Sequence, residues 1–366
     1  MMKVLYDGQI YAMQAAGGIN RYFANIISRL PDSFHPTLTA NYRSSKLHYP
    51  NHPNLKLIEY KGFRPHRVSR RMGKYYLQAA TAFKEFDFSH PTYYSLLSGQ
   101  YFDNYRHPVV LTVHDMIHEL FSDQLEPNGE TAEAKRKAIL SAQAIICVSE
   151  NTKNDLLERY PSLEDKISIT YLASELDVSL AYGAESVPSR PYYLYVGGRH
   201  AGYKNFNGLL VAFSKATSVN SELSLCVVGS QFSQSESELI AELNLTSSIE
   251  HYGYASDRQL AKLYRSSLGF VYPSLYEGFG IPPLEAMSCG TPVIASNSSS
   301  IPEVVGDAGL LFDPKSPEDL ADHLLFLANS PAERDRLIAK GFERTKLFSW
   351  NKTASQTLDV YKSVTA

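Results

Sequence analysis

The sequence has few of the residues that build cross-linked or membrane-spanning proteins. Its 366 residues include only three cysteines, Cys147, Cys226 and Cys289, with no CxxC pair and no histidine at metal-ligand spacing. This scarcity argues against a disulfide scaffold or a structural zinc site and favours a reducing cytoplasm. No run of about 18 apolar residues is present, and residues 1–11 resemble a first β-strand more than a signal peptide.

An excess of charge of one sign is also lacking. Lys and Arg number 35 against 38 Asp and Glu, which gives a net charge of -3 and argues against a dedicated nucleic-acid binder. Hydrophobic residues make up 44% and charged residues 20%, a globular composition that excludes disordered and collagen-like classes. The length is too great for one ordinary domain and predicts two.

Short apolar runs alternate with longer amphipathic stretches along both halves of the chain. Buried strands that alternate with helices predict an α/β protein with parallel sheets covered on both faces. Two such series predict two Rossmann-like domains facing a cleft, one over residues 1–185 and one over 186–350. The small-residue segment 183–191 is the expected linker, and a final helix within 351–366 is free to pack back on the first domain.

The segment Tyr276–Ala286 carries the strongest chemical signal, because it follows a predicted buried strand and opens a helix. Gly278 and Gly280 let the backbone approach a ligand, and Pro282 suits the first helical turn. The helix N-terminus then offers amide donors and the positive end of a dipole. Glu277 and Glu285 frame this loop, and carboxylates accept hydrogen bonds from sugar and ribose hydroxyls. A tight turn with a capping glutamate is the alternative interpretation.

The loop Gly197–Asn205 follows the first strand of the second domain. Two glycines open it, and Arg199 and Lys204 lie five residues apart within it. Such cations neutralise a diphosphate and stabilise the charge of a departing nucleotide without a metal. A solvated pair of cations is the alternative, but the position after a Rossmann strand favours phosphate binding.

Two weaker signals lie in the first half. Gly17 and Gly18 form a glycine-rich turn before a helix, although the turn is not GxGxxG. His114 and Asp115 end a predicted buried strand, where a histidine points toward the expected cleft. A structural histidine, capped or oriented by Asp115, is an equal alternative.

These segments together resemble the large family four of retaining GT-B glycosyltransferases, over nearly the whole chain. The matching motifs appear in family order, and EGFGIPPLE is the most specific of them: Gly17-Gly18, His114-Asp115, Val148-Ser149 with Thr152, the loop from Arg199 to Asn205, Gly253-Tyr254, Glu277–Glu285, Gly290–Val293 and Pro302-Glu303. The N-terminal segment 7–23 is similar to that of bacterial polysaccharide mannosyltransferases of this family.

The resemblance implies a role for each matching residue. Arg199 and Lys204 would bind the donor diphosphate, and Glu277 would contact the transferred sugar. Further donor contacts are implied for Phe279, Gly280, Ile281 (amides near the sugar), Glu285 (ribose), Tyr254 (base), Gly17 and Gly18 (phosphates or acceptor) and His114 (the reacting face of the sugar). The loop also carries His200 and Tyr203, which depart from the family pattern.

The implied activity is metal-independent transfer of a hexose, with retention of anomeric configuration, to a hydroxyl of a saccharide or lipid-linked saccharide in cell-surface polysaccharide synthesis. No cofactor is expected; the donor is a nucleotide-diphosphate sugar, with GDP-mannose favoured on the resemblance alone. UDP-, TDP- and ADP-sugars stay open, as do a nucleotide-sugar epimerase or hydrolase and a non-catalytic sugar-nucleotide-binding protein. A dehydrogenase is disfavoured because no GxGxxG with a following acidic residue is present.

Residues 61–76 are the most cationic segment and contain interleaved aromatic residues. They could dock on anionic lipid headgroups beside a lipid-linked acceptor, or they could form an ordinary exposed basic helix. The expected location is therefore cytoplasmic, with peripheral contact at the cytoplasmic membrane face as an open alternative.

Overall fold

The computed structural model describes residues 1–15, 17–43, 46–82, 84–125, 128–199 and 201–365. Its internal contacts divide the chain into a first unit, Met1–Leu172 with Trp350–Ala366, and a second unit, Ala173–Ser349. The sequence placed the boundary after residue 185 instead. Residues 173–185 lie in the second unit, where the short 3-10 helix Val178–Tyr182 packs against the helix Asp257–Ser266.

The first unit alternates strands and helices. Its strands are β1 Met2–Asp7, β2 Phe34–Asn41, β3 Lys56–Tyr60, β4 Phe88–Ser89, β5 Val110–Val113, β6 Ala144–Cys147 and β7 Ile167–Ile169. Its helices are α1 Gln9–Met13, α2 Gly18–Ser28, α3 His66–Ala82, α4 Ile117–Leu120, α5 Ser122–Leu125, α6 Glu130–Ser141 and α7 Glu150–Arg159. Ser149 caps α7 through a hydrogen bond of 2.9 Å from the Thr152 amide to its hydroxyl.

The strands of the first unit are all parallel and form two sheets, in the orders β3-β2-β1-β4 and β5-β6-β7. A parallel bridge between Ser89 and Val109 joins the sheets side by side. Because the apolar runs of β5 and β6 are buried along their whole length, they fit the central part of a sheet covered on both faces.

The second unit has the same alternation. Its strands are β8 Tyr192–Val196, β9 Ser224–Val228, β10 Ile249–Tyr252, β11 Gly269–Tyr272, β12 Val293–Ser296 and β13 Gly309–Phe312. Its helices are α8 Phe206–Val219, α9 Gln234–Glu242, α10 Asp257–Ser266, α11 Ile281–Ser288, α12 Ile301–Val305, α13 Pro317–Asn329 and α14 Pro331–Thr345. The parallel sheet has the order β10-β9-β8-β11-β12-β13, which is the doubly wound Rossmann order, so ligand-binding loops are expected where β8 and β11 end.

The last helix, α15 Trp350–Ser363, belongs to the first unit. Its Tyr361 is fully buried there, and the phenol contacts both Tyr6 and His90, at 3.0 and 2.7 Å. His90 also contacts the Thr112 hydroxyl at 2.8 Å, so a buried polar network ties α15 to the central strands. In the described part of the chain no helix is long and apolar enough to cross a membrane.

Candidate functional site

The loop between β11 and α11 is braced by two serines that follow β12. The Glu277 amide donates to the Ser299 hydroxyl at 2.8 Å. The Ser300 hydroxyl lies 2.8 Å from the carbonyl oxygens of both Glu277 and Phe279. Gly280, the N-cap of α11, has φ +117°, a conformation that favours glycine. The loop is therefore fixed by its own neighbours before any ligand is considered.

Lys204 and Glu277 meet across the ends of two neighbouring strands. The Lys204 Nζ lies 2.6 Å from the Glu277 Oε1, and the side chains stay 23% and 13% exposed, so a ligand can reach both. The Leu275 amide donates to the Tyr203 carbonyl at 2.7 Å, which joins the same two loops through their backbones. The loop after β8 and the loop after β11 thus form one surface that carries a cation and a carboxylate.

Arg199 has a different environment from Lys204. Its side chain is fully buried, and its Nε donates to the Glu236 Oε1 at 2.9 Å. Its Nη2 donates to the carbonyl oxygens of Ser230 and Gln231. The guanidinium also lies 5.3 and 4.7 Å from the ring centres of Phe206 and Phe232. The residue is therefore held in a buried ion pair between two aromatic rings.

Glu236 serves two partners at once. Its Oε2 accepts a hydrogen bond of 2.7 Å from the Ser233 amide, in a capping box at the start of α9. Burial raises the pKa of Glu236, but the Ser233 amide and the Arg199 guanidinium outweigh that effect and hold the pKa below its ordinary value. The carboxylate therefore stays charged at neutral pH and anchors both α9 and Arg199.

The same anchor requires a glycine at position 229. A side-chain carbon at Gly229, which has φ +153°, would lie 2.7 Å from the Gly197 carbonyl oxygen and 3.1 Å from the Arg199 Nη1. Within the described residues this Nη1 is buried without a hydrogen-bond partner. The loop after β8 thus passes so close to the end of β9 that only glycine fits.

The other residues of the second unit that are predicted to contact the donor differ widely in solvent exposure. Glu285 lies on α11 and is 8% exposed, and the Tyr264 hydroxyl donates to its Oε2 at 3.3 Å. Phe279 is buried, whereas Tyr254 is 86% exposed. Ile281 is the first residue of α11. His200 lies outside the described residues.

Asp115, which follows His114, is held by a buried lysine that the sequence did not reveal. Lys135 is 0% exposed, and its Nζ donates to the Asp115 carbonyl and to the Glu119 Oε2, both at 2.8 Å. His114 packs edge-on against Tyr22 at 5.3 Å, and desolvation lowers its pKa to about 4. Burial raises the pKa of Asp115, but Lys135 and the Ile117 amide outweigh it, so the net shift is downward. His114 is therefore neutral and Asp115 charged at pH 7.

The predicted glycine turn of the first unit has ordinary geometry. Gly17 is the N-cap of α2, and its backbone is extended, with φ 166°. Gly18 is the first residue of that helix. A side-chain carbon at Gly17 would lie 2.4 Å from the Gln14 amide nitrogen, so the position is crowded by a side chain rather than by backbone.

The structure thus brings Lys204 and Glu277 together, and it gives Arg199 a separate carboxylate that sequence reasoning missed. A signal for Glu236 was present, because Ser233-x-x-Glu236 is a capping-box pattern. No comparable pattern marks Lys135, since a lysine on a charged helix is ordinarily exposed. The ligand contacts assigned to the eleven site residues stay predictions. Among the described residues, no group of three or more His, Cys, Asp or Glu side chains is arranged to hold a metal ion.

Each of the two α/β units has parallel strands, and the second has the doubly wound order with paired loops at its strand ends. This is the architecture of a GT-B type of protein. Family models agree: the one described as "Glycosyltransferase Family 4" matches residues 16–177, and "Glycosyl transferases group 1" matches residues 184–344. The chain is 30% identical over 305 residues to an alpha-maltose-1-phosphate synthase of Mycobacterium tuberculosis, with 75% of this chain and 78% of that one covered. The chain therefore belongs to the glycosyltransferase family that these two models describe, which confirms the predicted resemblance.

A second relative is the O-antigen chain mannosyltransferase B of Escherichia coli, 35% identical over 234 residues. The match covers 61% of this chain and 61% of that relative. Among solved structures, the sucrose-phosphate synthase of Thermosynechococcus elongatus has a TM-score of 0.78 at 22% identity, with 99% of each chain covered. That likeness confirms the predicted GT-B fold.

Proposed function

We propose that this glycosyltransferase is a retaining hexosyltransferase that moves mannose from GDP-mannose to a hydroxyl of a saccharide or lipid-linked saccharide during cell-surface polysaccharide synthesis. The observation that supports the donor class is the Lys204–Glu277 pair, a reachable cation and carboxylate at the ends of β8 and β11. The choice of mannose rests on the 35% identity to the O-antigen chain mannosyltransferase B.

In this proposal the second unit holds the donor. Lys204 contacts the diphosphate, where its charge stabilises the departing phosphate, and Glu277 accepts hydrogen bonds from hydroxyls of the sugar. The amides of Phe279, Gly280 and Ile281 lie near the sugar, Glu285 holds the ribose and Tyr254 lies beside the base. Neither a metal ion nor a cofactor takes part.

Arg199 acts chiefly by positioning. Because Nε and Nη2 are engaged with Glu236 and two carbonyls, a phosphate contact would have to use the buried Nη1. Arg199 therefore fixes the loop that carries Lys204, and Lys204 supplies the charge that a donor meets first.

The proposed reaction breaks the bond between the anomeric carbon and the phosphate oxygen and forms a bond from that carbon to the acceptor oxygen on the same face. The acceptor proton passes to a phosphate oxygen of the leaving nucleotide diphosphate. Glu277 stabilises the positive charge that develops on the sugar, and a covalent intermediate on it is disfavoured because a carboxylate that binds ring hydroxyls is misplaced for attack. In the proposal the neutral His114 lies near the reacting face of the sugar. Gly17 and Gly18 approach the phosphates or the acceptor.

The proposed location is cytoplasmic with peripheral membrane contact. The surface of α3 supports the membrane contact. Val68, Met72 and Tyr75 are spaced along one face of the helix, and each is at least half exposed, while Arg67 and Arg71 lie beside them. Sedimentation with anionic vesicles tests the contact. Salt-sensitive binding that Met72→Ser weakens is expected, and no binding would contradict it.

A thermal-shift screen against GDP, UDP, TDP and ADP tests the donor, since at equal concentration the ligand with the lowest dissociation constant stabilises the fold most. We expect the largest shift with GDP, followed by mannose transfer from GDP-mannose in a product assay. A larger shift with another nucleotide would move the proposal to that donor. Consumption of donor with no requirement for an acceptor would favour the hydrolase, and binding without turnover would favour the non-catalytic protein.

A further inference from the structure

A large groove lies within the first unit, and its lining includes no described residue of the loops after β8 and β11. It encloses about 1030 Å³. One side is formed by α3 and the other by residues 94–102, with the start of α6 and the ends of β2 and β3 completing it. This groove has room for more than one sugar residue, since ligand pockets commonly enclose about 300–1,000 Å³.

Cations without acidic partners line one side of the groove. Arg70 and Lys74 face it from α3, and with Arg67 and Arg71 they also line an adjoining shallow concavity of about 370 Å³. None of these four side chains makes an ion pair within the described residues. Four positive charges along one helix face thus lack an acidic partner among the described residues, and such a cluster attracts anions.

The acidic residues of the groove do not cancel that charge. Glu133 on α6 already accepts two hydrogen bonds from Arg136, at 2.7 and 2.8 Å, and lies 3.5 Å from the Lys137 Nζ. The hydrogen bonds from Arg136 outweigh the opposing effect of desolvation and lower the pKa of Glu133 to about 2. Glu130 and Lys137, which also lie on α6, line the groove as well. The carboxylates are thus gathered at the α6 side, while the α3 side stays cationic.

Aromatic side chains form much of the rest of the wall. Tyr42, Tyr60, Tyr94, Tyr101 and Phe102 line the groove, and Tyr101 is 70% exposed. A tyrosine presents an apolar ring for the faces of a sugar and a hydroxyl for its edges. A wall of this kind suits a saccharide, whereas the cations of α3 suit a phosphate.

We propose that this groove is the acceptor site and that the acceptor is a saccharide joined to a diphosphate, with the saccharide against the tyrosines and the diphosphate on Arg70, Lys74 and the adjoining arginines. The inference rests on the proposed function, since only a transferase needs an acceptor. The apolar face of α3 lies beside the cations, so an acceptor anchored in a lipid surface would enter the groove from that side.

Isothermal titration calorimetry with the full chain measures binding to this groove without any transfer reaction. The probes are a water-soluble alkyl diphosphate-linked N-acetylglucosamine, the same alkyl glycoside without phosphate, and inorganic pyrophosphate. We expect the diphosphate conjugate to bind at least about tenfold more tightly than the neutral glycoside, on the scale of lost charged hydrogen bonds. Pyrophosphate should bind weakly and compete, because it occupies only the cationic part.

Variants then locate the two halves of the site. The double variant Arg70→Ser with Lys74→Ser should remove the preference for the diphosphate conjugate, and Tyr101→Ala should weaken the conjugate and the neutral glycoside alike. Lys346→Ser with Lys362→Ser removes the same charge from exposed sites outside the groove and should change neither affinity. Binding to anionic vesicles should survive the Arg70 and Lys74 changes better than conjugate binding does, which separates a bound acceptor from a lipid headgroup.

Equal affinity of the wild-type chain for the conjugate and the neutral glycoside would overturn the inference, and so would full retention of the preference in the double variant. Binding of GDP-mannose, measured in the same samples, reports on the donor independently. Failure of the wild-type chain to bind the conjugate, with GDP-mannose bound normally, refutes this acceptor site alone, whereas failure to bind GDP-mannose refutes the proposed donor alone.

Discussion

Arg199 and Lys204 lie five residues apart in one loop, yet their surroundings are opposite. Arg199 is buried in an ion pair with Glu236 between two phenylalanine rings. Lys204 pairs with Glu277 at a surface that solvent reaches. The difference shows that one short motif can supply a buried anchor and a solvent-accessible cation, and the two should respond differently to mutation.

The largest expected effect is on the free energy of unfolding, at the buried pair. Glu236→Gln keeps the shape of the side chain but leaves Arg199 as an unpaired buried charge, which costs about 3–5 kcal/mol. Chemical denaturation measures it. The double variant with Arg199→Met should lose less than the sum of the two single losses. The exposed pair Lys215–Glu318, at 2.9 Å, is the control, and its disruption should cost less than about 1 kcal/mol. A loss at Glu236 as small as that control would show that the buried pair is no anchor.

The next effect is on transfer rather than on stability. Lys204→Ala and Glu277→Ala should each lower the transfer rate at least about tenfold, because each removes a charged contact to the donor. A product assay with GDP-mannose measures this, with thermal melts as a check on folding. Lys215→Ala removes a cation from an exposed pair and should leave the rate unchanged. Near-normal turnover in either site variant would remove that residue from the site.

A substitution at Gly229 tests the buried anchor of Arg199 without removing a charged side chain. Gly229→Ala places a carbon 2.7 Å from the Gly197 carbonyl oxygen at a positive φ, so it should cost about 1–3 kcal/mol of stability and reduce transfer through the displaced loop. Gly253→Ala meets no atom within 4 Å and serves as the control. Equal stability of the two variants in denaturant titrations would show that the close approach of the two loops is unimportant.

The smallest effect concerns His90, the buried histidine of the first unit that contacts Tyr361. Desolvation lowers the pKa of His90 to about 3, against about 6.5 in the unfolded chain. The unfolded state therefore binds a proton that the folded state excludes, so stability rises with pH between these values and is complete above about 6.5. The advantage of the wild-type chain over His90→Gln should shrink by roughly 1 kcal/mol between pH 7 and pH 5.5. An advantage independent of pH would mean that His90 does not titrate in this way.

The sequence predicted most of the strands because their apolar runs are short, buried and bounded by turn residues. The apolar runs predict strands over Tyr192–Val196 and Ile249–Tyr252, and the helical spacing predicts a helix over Asp257–Ser266; β8, β10 and α10 have these limits. The polar segment from Ser149 to Thr152 predicts a helix cap, which the Ser149 hydroxyl provides. The sequence could not predict β4, since two residues carry no periodic pattern. The membership of residues 173–185 in the second unit depends on tertiary packing that no local composition records.

For the site, sequence reasoning found the segments but not the pairing. It placed Lys204 and Glu277 at strand ends, where Rossmann topology brings neighbouring loops together. It treated Arg199 as an equal partner of Lys204, because a charge in a loop is ordinarily solvated. The burial of Arg199 depends on Glu236, Phe206 and Phe232, which come from other parts of the chain and meet only in the folded unit.

The central claim is that a nucleotide diphosphate binds the second unit at the Lys204–Glu277 surface. Calorimetric titration of GDP into the wild-type chain, Lys204→Ala and Lys215→Ala tests it most directly. We predict that Lys204→Ala weakens GDP binding about tenfold and that Lys215→Ala binds as the wild type does. Equal affinity of Lys204→Ala and the wild type for GDP would contradict the claim.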